Sequence, residues 1–134
     1  MAQAIAVDTH AVVWYLTGAK ELSATAQEAI ESAIHEGKEI YVSAISLIEL
    51  VYLTERGRVP HADLSAVVGA LQDSASPFTL APIDMRVVVA LAGVSRDQVP
   101  EMPDRIIAAT ATALGVPLVT ADSELRAAAI KTIW

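Results

Sequence analysis

Short apolar runs rich in β-branched residues alternate with amphipathic segments along the whole chain, and this alternation is the strongest constraint on the fold. Such runs are typical of strands buried on both faces, whereas the intervening segments repeat their apolar residues at helical spacing. We therefore predict an α/β fold in which helices cover both faces of a parallel sheet. The predicted strands cover residues 3–8, 40–42, 78–80, 116–120 and 131–134.

Capping residues set the limits of the predicted helices. Ser23 is a favourable N-cap for a helix over residues 24–35, and a further helix is expected between Ser43 and Gly57. The apolar stripe of that second helix consists of Ile45, Ile48, Val51 and Tyr52. The remaining helices are predicted over residues 61–73, 83–94, 104–114 and 123–129. Because the chain has no internal repeat and no linker, we predict one domain over residues 1–134.

The composition excludes several classes of protein. Hydrophobic residues make up 54% of the chain, which excludes an intrinsically disordered segment. The absence of Cys excludes a disulfide scaffold, a zinc finger and a thiol nucleophile. The chain has 9 Lys and Arg against 16 Asp and Glu, so its net charge of −7 does not suit a protein that holds nucleic acid by a basic surface. No apolar run reaches the ~18–20 residues of a membrane span, and no signal peptide is recognisable, so we expect a cytoplasmic protein without membrane contact.

Two acids follow predicted strands. Asp8 ends the first strand, and Asp122 comes just after the strand over residues 116–120. In open α/β sheets ligands bind at the carboxyl ends of the strands, near the point where the strand order reverses, so these acids are candidates for a shared site. The alternative is that each acid caps the following helix, since Asp is a favoured N-cap residue.

Two further acids lie within helical segments. Asp104 belongs to the first turn of a strongly apolar helix, where a favourable interaction with the helix dipole of ~0.3–1 kcal/mol would also explain it. Glu49 is a lone acid among Leu47, Ile48, Leu50 and Val51. It therefore lies either on an exposed face or in a cleft.

Four carboxylates in one crevice would repel one another by roughly 3 kcal/mol per ionised pair at ~5 Å and a dielectric constant near 20. Such a cluster is reasonable if it holds divalent cations, and oxygen ligands without Cys favour Mg²⁺ or Mn²⁺ over Zn²⁺. The cations would supply the positive charge that a phosphodiester needs and that the chain itself lacks. The glycine-rich motifs of nucleotide-binding sites and the motif of a serine nucleophile are absent from the sequence. His10 either lines the acidic site or has a structural role.

Four segments carry a resemblance to a known family. They are VDTHAVVW from residue 7, VSAISLIEL from residue 42, PDRIIAATA from residue 103 and LVTAD from residue 118. The chain resembles the PIN-domain ribonucleases, specifically the VapC-like toxins of type II toxin–antitoxin systems. The segments follow the family order and cover nearly the whole chain.

The resemblance implies a three-layer α/β/α fold and a site in which four acids bind Mg²⁺ or Mn²⁺. The implied acids are Asp8, Glu49, Asp104 and Asp122. Thr120 matches a hydroxyl residue that supports the last acid, while Thr9 and Ser43 match small polar residues near the site. Arg105 is expected either to contact a phosphate or to form a local salt bridge.

The same resemblance implies hydrolysis of RNA phosphodiester bonds by metal-activated water. It also implies a homodimer and a small antitoxin protein whose C-terminal segment obstructs the site. One departure is Glu101, which stands where many relatives carry an extra Asp and which we expect to act as an outer-sphere helper. A PIN-like module that binds RNA or protein without cleavage is the alternative. A phosphorylated receiver domain is disfavoured, because Asp8 has no acidic neighbour.

Overall fold

The computed structural model describes residues 3–134, which form a five-stranded parallel sheet with the strand order β3-β2-β1-β4-β5. Val7 of β1 pairs with Val42 of β2 on one side and with Val119 of β4 on the other. The strands are β1 (Ile5–Val7), β2 (Ile40–Ser43), β3 (Phe78–Ala81), β4 (Leu118–Val119) and β5 (Thr132–Ile133). The predicted α/β fold with a central parallel sheet is confirmed.

Seven helices connect the strands within the described residues. Ser23 caps the second of them, as predicted, by accepting a hydrogen bond from the Ala26 amide at 3.0 Å. The first helix received no predicted bounds, because its residues are apolar on nearly all sides. The helices are α1 (Thr9–Thr17), α2 (Ala24–His35), α3 (Ala44–Glu55), α4 (His61–Gln72), α5 (Met85–Ala92), α6 (Met102–Leu114) and α7 (Ser123–Ala127).

Two buried clusters lie on opposite faces of the sheet and make the fold three-layered. Ile5 and Val7 belong to the cluster that α1, α2 and α4 cover, whereas Ala6 belongs to the cluster covered by α5, α6 and α7. This alternation follows from the two-residue period of a strand. Because both faces of the sheet are covered, both sets of strand side chains are apolar.

The predicted apolar stripe of α3 is wrong in all but one position. Ile45 is buried, but the exposed fractions of Ile48, Val51 and Tyr52 are 47%, 39% and 56%. The core-facing side of α3 instead carries Ser46, Leu50 and Thr54. Buried hydroxyls are tolerated when they are hydrogen-bonded, and both of these are.

The strand order reverses between β1 and β4, because the chain extends the sheet from β1 towards β3 and then returns to add β4 on the other side. A ligand crevice is expected at the carboxyl ends of these two strands. Within residues 3–134, no helix combines the length and the hydropathy that a membrane span requires.

Candidate active site

Asp8 lies directly after β1, at the reversal point, and is only 7% exposed. Its Oδ1 accepts a hydrogen bond from the Ala11 amide at 2.8 Å, and its Oδ2 accepts one from the Thr120 hydroxyl. Burial raises the pKa of the Asp8 carboxyl, and these two hydrogen bonds oppose that rise. Asp8 therefore caps α1 and faces the crevice at once.

Asp122 follows β4 and caps α7, since its Oδ1 accepts a hydrogen bond from the Leu125 amide at 2.9 Å. The capping that the sequence analysis gave as the alternative to a shared site is thus present at both strand-end acids. Thr120 connects the two acids, because its hydroxyl donates to Asp8 and accepts from the Asp122 amide at 3.0 Å. A carboxylate has about four lone-pair sites, so one capping hydrogen bond leaves Asp122 with free capacity for a ligand.

Glu49 lies on the side of α3 that faces α1 and is partly buried. The Thr9 hydroxyl is 2.7 Å from Glu49 Oε1 and 2.9 Å from the Ser46 hydroxyl. Thr9 has a single proton and an ionised carboxylate only accepts, so Thr9 donates to Glu49 and Ser46 donates to Thr9. Ser46 is fully buried and was not among the predicted site residues. Its spacing of three residues from Glu49 on one helix was the available signal.

Asp104 lies in the first turn of α6, as predicted, and is half-buried. Burial is the largest cause that raises the pKa of its carboxyl to about 7, followed by the charge of Asp122 and then those of Glu49 and Asp8. Glu101 adds a smaller contribution of the same sign. No hydrogen bond from the described residues lowers the pKa of Asp104.

One cavity of about 370 Å³ brings all four predicted acids together. Its lining consists of Asp8, Thr9, His10, Trp14, Glu49, Leu53, Asp104, Ile107, Ala121 and Asp122. We call it the acid cavity. Residues as far apart in sequence as Asp8 and Asp122 line this one cavity.

Four of the predicted supporting residues lie outside this lining, and one of them, the fully buried Thr120, acts through its hydrogen bonds to Asp8 and Asp122. Ser43 caps α3 through the Ile45 amide at 3.3 Å, and Glu101 is exposed at the start of α6. The guanidinium of Arg105 donates to the carbonyls of Leu91 and Val94 at 3.1 and 2.9 Å. Arg105 therefore supports the end of α5, and no salt bridge of Arg105 is present among the described residues.

The side-chain donors that line the acid cavity are four carboxylates, the Thr9 hydroxyl and the His10 imidazole, and the predominance of carboxylate oxygens fits hard cations such as Mg²⁺. Among residues 3–134, however, no three Asp, Glu or His side chains are arranged to hold one ion together. These observations agree if the ion takes one or two carboxylates and keeps several waters, which is usual for Mg²⁺ in proteins.

A family model described as the PIN domain matches residues 5–131. The chain belongs to the PIN domain family. This PIN domain is 33% identical over 122 residues to Ribonuclease VapC22 of Mycobacterium tuberculosis, a match that covers 91% of this chain and 89% of the relative.

Solved structures confirm the PIN fold. VapBC2 from Rickettsia felis, bound to a DNA fragment from its promoter, aligns with a TM-score of 0.70 at 16% identity over 96% of each chain. FitAcB from Neisseria gonorrhoeae aligns with a TM-score of 0.62 at 24% identity, covering 96% of this PIN domain and 95% of that chain. At these identities the structural likeness establishes the three-layer arrangement.

Proposed function

We propose that this PIN domain is a metal-dependent endoribonuclease and acts as the toxin of a toxin–antitoxin pair. The observation that carries the proposal is the convergence of Asp8, Glu49, Asp104 and Asp122 in one cavity at the reversal point of the sheet. The relative of 33% identity, named a ribonuclease, supports RNA as the substrate. The structural relatives described as VapBC and FitA complexes support a partner protein.

Of the four acids, one or two would bind Mg²⁺ directly and the others would act through its waters, with Mn²⁺ able to replace it. When bound, the ion supplies a more nucleophilic water and neutralises charge on the phosphate. Asp8 and Asp122 are the best oriented ligands because hydrogen bonds fix both carboxylates. Thr9 and Ser46 orient Glu49 in the same manner from the α3 side.

Asp104 completes the set and has a second role. Because its carboxyl has a pKa of about 7, it holds a proton part of the time near neutral pH in the metal-free protein. Cation binding favours the ionised form, so we expect Asp104 to release this proton when the ion binds. Glu101 acts from outside the cavity through its charge on Asp104.

An apolar groove beside the acid cavity is the proposed site for the antitoxin segment. The groove is lined by Ile45, Ile48, Glu49, Tyr52, Leu53, Arg56, Met102 and Pro103. Glu49 and Leu53 line both the groove and the acid cavity, so a peptide in the groove would end beside the carboxylates. Exposed apolar residues of this kind mark interaction surfaces, and the position explains how a partner would obstruct the site.

A second copy of the chain is the proposed partner of α5. Met85, Val88 and Val89 share one face of this helix, and their exposed fractions are 73%, 50% and 68%. If a homodimer buries this face, Val89→Asp should weaken dimerisation, because it places a charge in the apolar interface. Sedimentation or light scattering of the parent and the variant measures this directly.

We place the protein in the cytoplasm, where its RNA substrate and antitoxin would be found.

Cleavage of total bacterial RNA tests the proposed activity. Purified protein freed of any bound antitoxin is incubated with Mg²⁺, with Mn²⁺ and with EDTA. Asp8→Asn should reduce cleavage by at least ~10²-fold, the usual scale for removing one electrostatic group from an active site. Asp63→Asn is the control, since it makes the same Asp-to-Asn change in the first turn of α4, outside the cavity. Equal cleavage by Asp8→Asn and the parent would show that the quartet is not the catalytic site.

A non-cleaving module that binds RNA or protein is the second candidate. The observation in its favour is that no three side chains of the described residues are arranged to hold one ion. It predicts RNA retention without fragments at every metal concentration, whereas the nuclease gives discrete fragments that disappear with EDTA.

A further inference from the structure

Three aromatic rings lie in a row beside the acid cavity. The ring centroids of His10 and Trp14 are 5.4 Å apart, and those of Trp14 and Trp134 are 5.9 Å apart. We call this row the aromatic ladder. Aromatic residues are scarce in the chain, at 4%, yet both of its tryptophans belong to the ladder.

The ladder is anchored at one end and open at the other. Trp14 and Trp134 are half-buried and pack against the core cluster that α1, α2 and α4 cover. His10 is exposed, one turn before Trp14 on α1, and no hydrogen bond of its ring is present among the described residues. A ring with a free face and a fixed neighbour is a suitable surface for a flat ligand.

The ladder and the acids face the same space. His10 and Trp14 line the acid cavity together with Asp8, Glu49 and Asp122. No Lys or Arg side chain of residues 3–134 lines this cavity. A nucleic acid strand therefore finds no basic groove here, and aromatic contacts to its bases are an available source of affinity besides the cation.

We propose that the aromatic ladder stacks an unpaired nucleobase of the RNA strand whose phosphodiester lies at the acids. The inference rests on the proposed nuclease function. Proteins that hold single-stranded nucleic acid use aromatic side chains on which successive bases stack. The base lies on His10 and against Trp14, and Trp134 supports Trp14 from the core side.

The chemistry of stacking defines the substrate class. Bases in a duplex are covered by their neighbours, whereas loops and single strands offer bases that can be splayed out. The acid cavity should therefore accept RNA whose cleaved bond adjoins an unpaired nucleotide. Stacking on an aromatic face tolerates every base, so the ladder contributes affinity and the choice of unpaired over paired RNA.

Binding is tested with single-stranded RNA of random sequence and about 12 nucleotides, a length within the site sizes of single-strand binders. Asp104→Asn serves as the background in every sample to slow hydrolysis. Tryptophan fluorescence is the readout, because Trp14 and Trp134 are the only tryptophans and both lie in the ladder. The variants are His10→Ala, His10→Tyr and the control His61→Ala, which removes an exposed histidine from the start of α4.

His10→Ala should weaken binding about 5- to 150-fold, the loss expected for one stacked base of ~1–3 kcal/mol. His10→Tyr should bind within about threefold of the background protein, because it keeps an aromatic face while it removes the imidazole. The RNA should quench tryptophan emission in the background protein and in His61→Ala. An RNA duplex of the same length should neither bind tightly nor quench.

Equal affinity of His10→Ala and His61→Ala would overturn the stacking inference, and so would equal affinity for the duplex. Loss of binding in both His10→Ala and His10→Tyr would also overturn it, because the imidazole rather than the stacking face would then be the essential group. Metal-dependent cleavage by the unmutated protein distinguishes a failure of the ladder assignment from a failure of the proposed function. If cleavage persists while His10→Ala has no effect, only the ladder assignment fails, and if cleavage is absent the proposed function fails with it.

Discussion

Two of the sides of the acid cavity, one formed by strand ends and one by a helix, differ in how they hold their carboxylates. The strand side consists of Asp8, Thr120 and Asp122, and each carboxylate there accepts a backbone hydrogen bond. The helix side consists of Asp104 at the start of α6, and no described donor bonds its carboxylate. The strand side is therefore oriented before any ligand arrives, while the helix side is not.

This difference explains the contrast in charge. On the strand side, the hydrogen bonds to Asp8 partly offset the rise in pKa that its burial causes. On the helix side, burial and four neighbouring acids all raise the pKa of Asp104. Perturbed groups of this kind concentrate at functional sites, and a bound cation would offset the influences that oppose ionisation of Asp104.

Metal binding should change the free energy of unfolding more than any other single perturbation of the cavity. At a hundredfold excess over the dissociation constant, Mn²⁺ should stabilise the protein by about 2.7 kcal/mol. Asp104→Asn should reduce this gain because the helix side then contributes no charge. Thermal unfolding with and without Mn²⁺ measures the stabilisation of the parent and of Asp104→Asn. A melting temperature of the parent that millimolar Mn²⁺ leaves unchanged would contradict a preformed site.

Thr120→Val should damage the strand side and lower cleavage about 10- to 100-fold, the usual effect of removing a partner that orients a metal ligand. Thr120→Ser should restore most of the activity. Thr110→Val is the matched control, because Thr110 is also buried and its hydroxyl bonds the carbonyl of Ile106 within its own helix. If Thr110→Val lowers cleavage as much as Thr120→Val, the effect reflects a lost buried hydroxyl and not the strand side.

The strand side was the part of the site that the sequence made predictable. Asp8 and Asp122 directly follow apolar runs, and parallel strands bring their carboxyl ends to one edge. The α/β fold could be predicted for the same reason, because apolar runs and caps such as Ser23 are local signals. The capping roles of both acids were foreseen as alternatives to a site, although the structure shows that capping and facing the cavity occur together.

Glu49 and Asp104 were also assigned to the site through the family resemblance, but long-range contacts made the roles of the supporting residues unpredictable. The periodicity of α3 suggested that Ile48 and Tyr52 face the core. Ser46 faces the core instead, because the Thr9 hydroxyl, 37 residues away, accepts a hydrogen bond from the Ser46 hydroxyl. Arg105 was expected at a phosphate or in a salt bridge, and its bonds to the end of α5 depend on how α5 packs against α6. The phosphate contact stays a prediction.

Ser46→Ala should extend the comparison to the α3 side of the cavity. Without the Ser46 hydroxyl, Thr9 is free to turn away from Glu49, and we expect cleavage to fall about two- to tenfold, in line with the net value of one hydrogen bond. The control is Thr54→Val on the same helix, because the Thr54 hydroxyl bonds the Val51 carbonyl and not the site. Both variants should lose some stability. Only Ser46→Ala should also weaken Mn²⁺ binding, and an equal loss of cleavage in Thr54→Val would show that Ser46 acts through stability alone.

The pH dependence of the metal-free protein should isolate the helix side, with an effect of a few degrees in melting temperature. The pKa of Asp104 is about 7 in the folded protein against the ordinary Asp value of 3.8, so the folded state binds more protons between these values. Stability therefore falls as the pH rises from about 4 through about 7, since the free energy of unfolding decreases wherever the native state holds the extra proton. The raised pKa of Asp8 acts with the same sign. Asp104→Asn should flatten the slope between about pH 4 and about pH 7, whereas Asp63→Asn should keep it. Saturating Mg²⁺ should reverse the slope in the parent, because the ion and the proton compete for the same carboxylates. A slope that Asp104→Asn leaves unchanged would mean that the strand side, and not the helix side, carries the uncompensated charge.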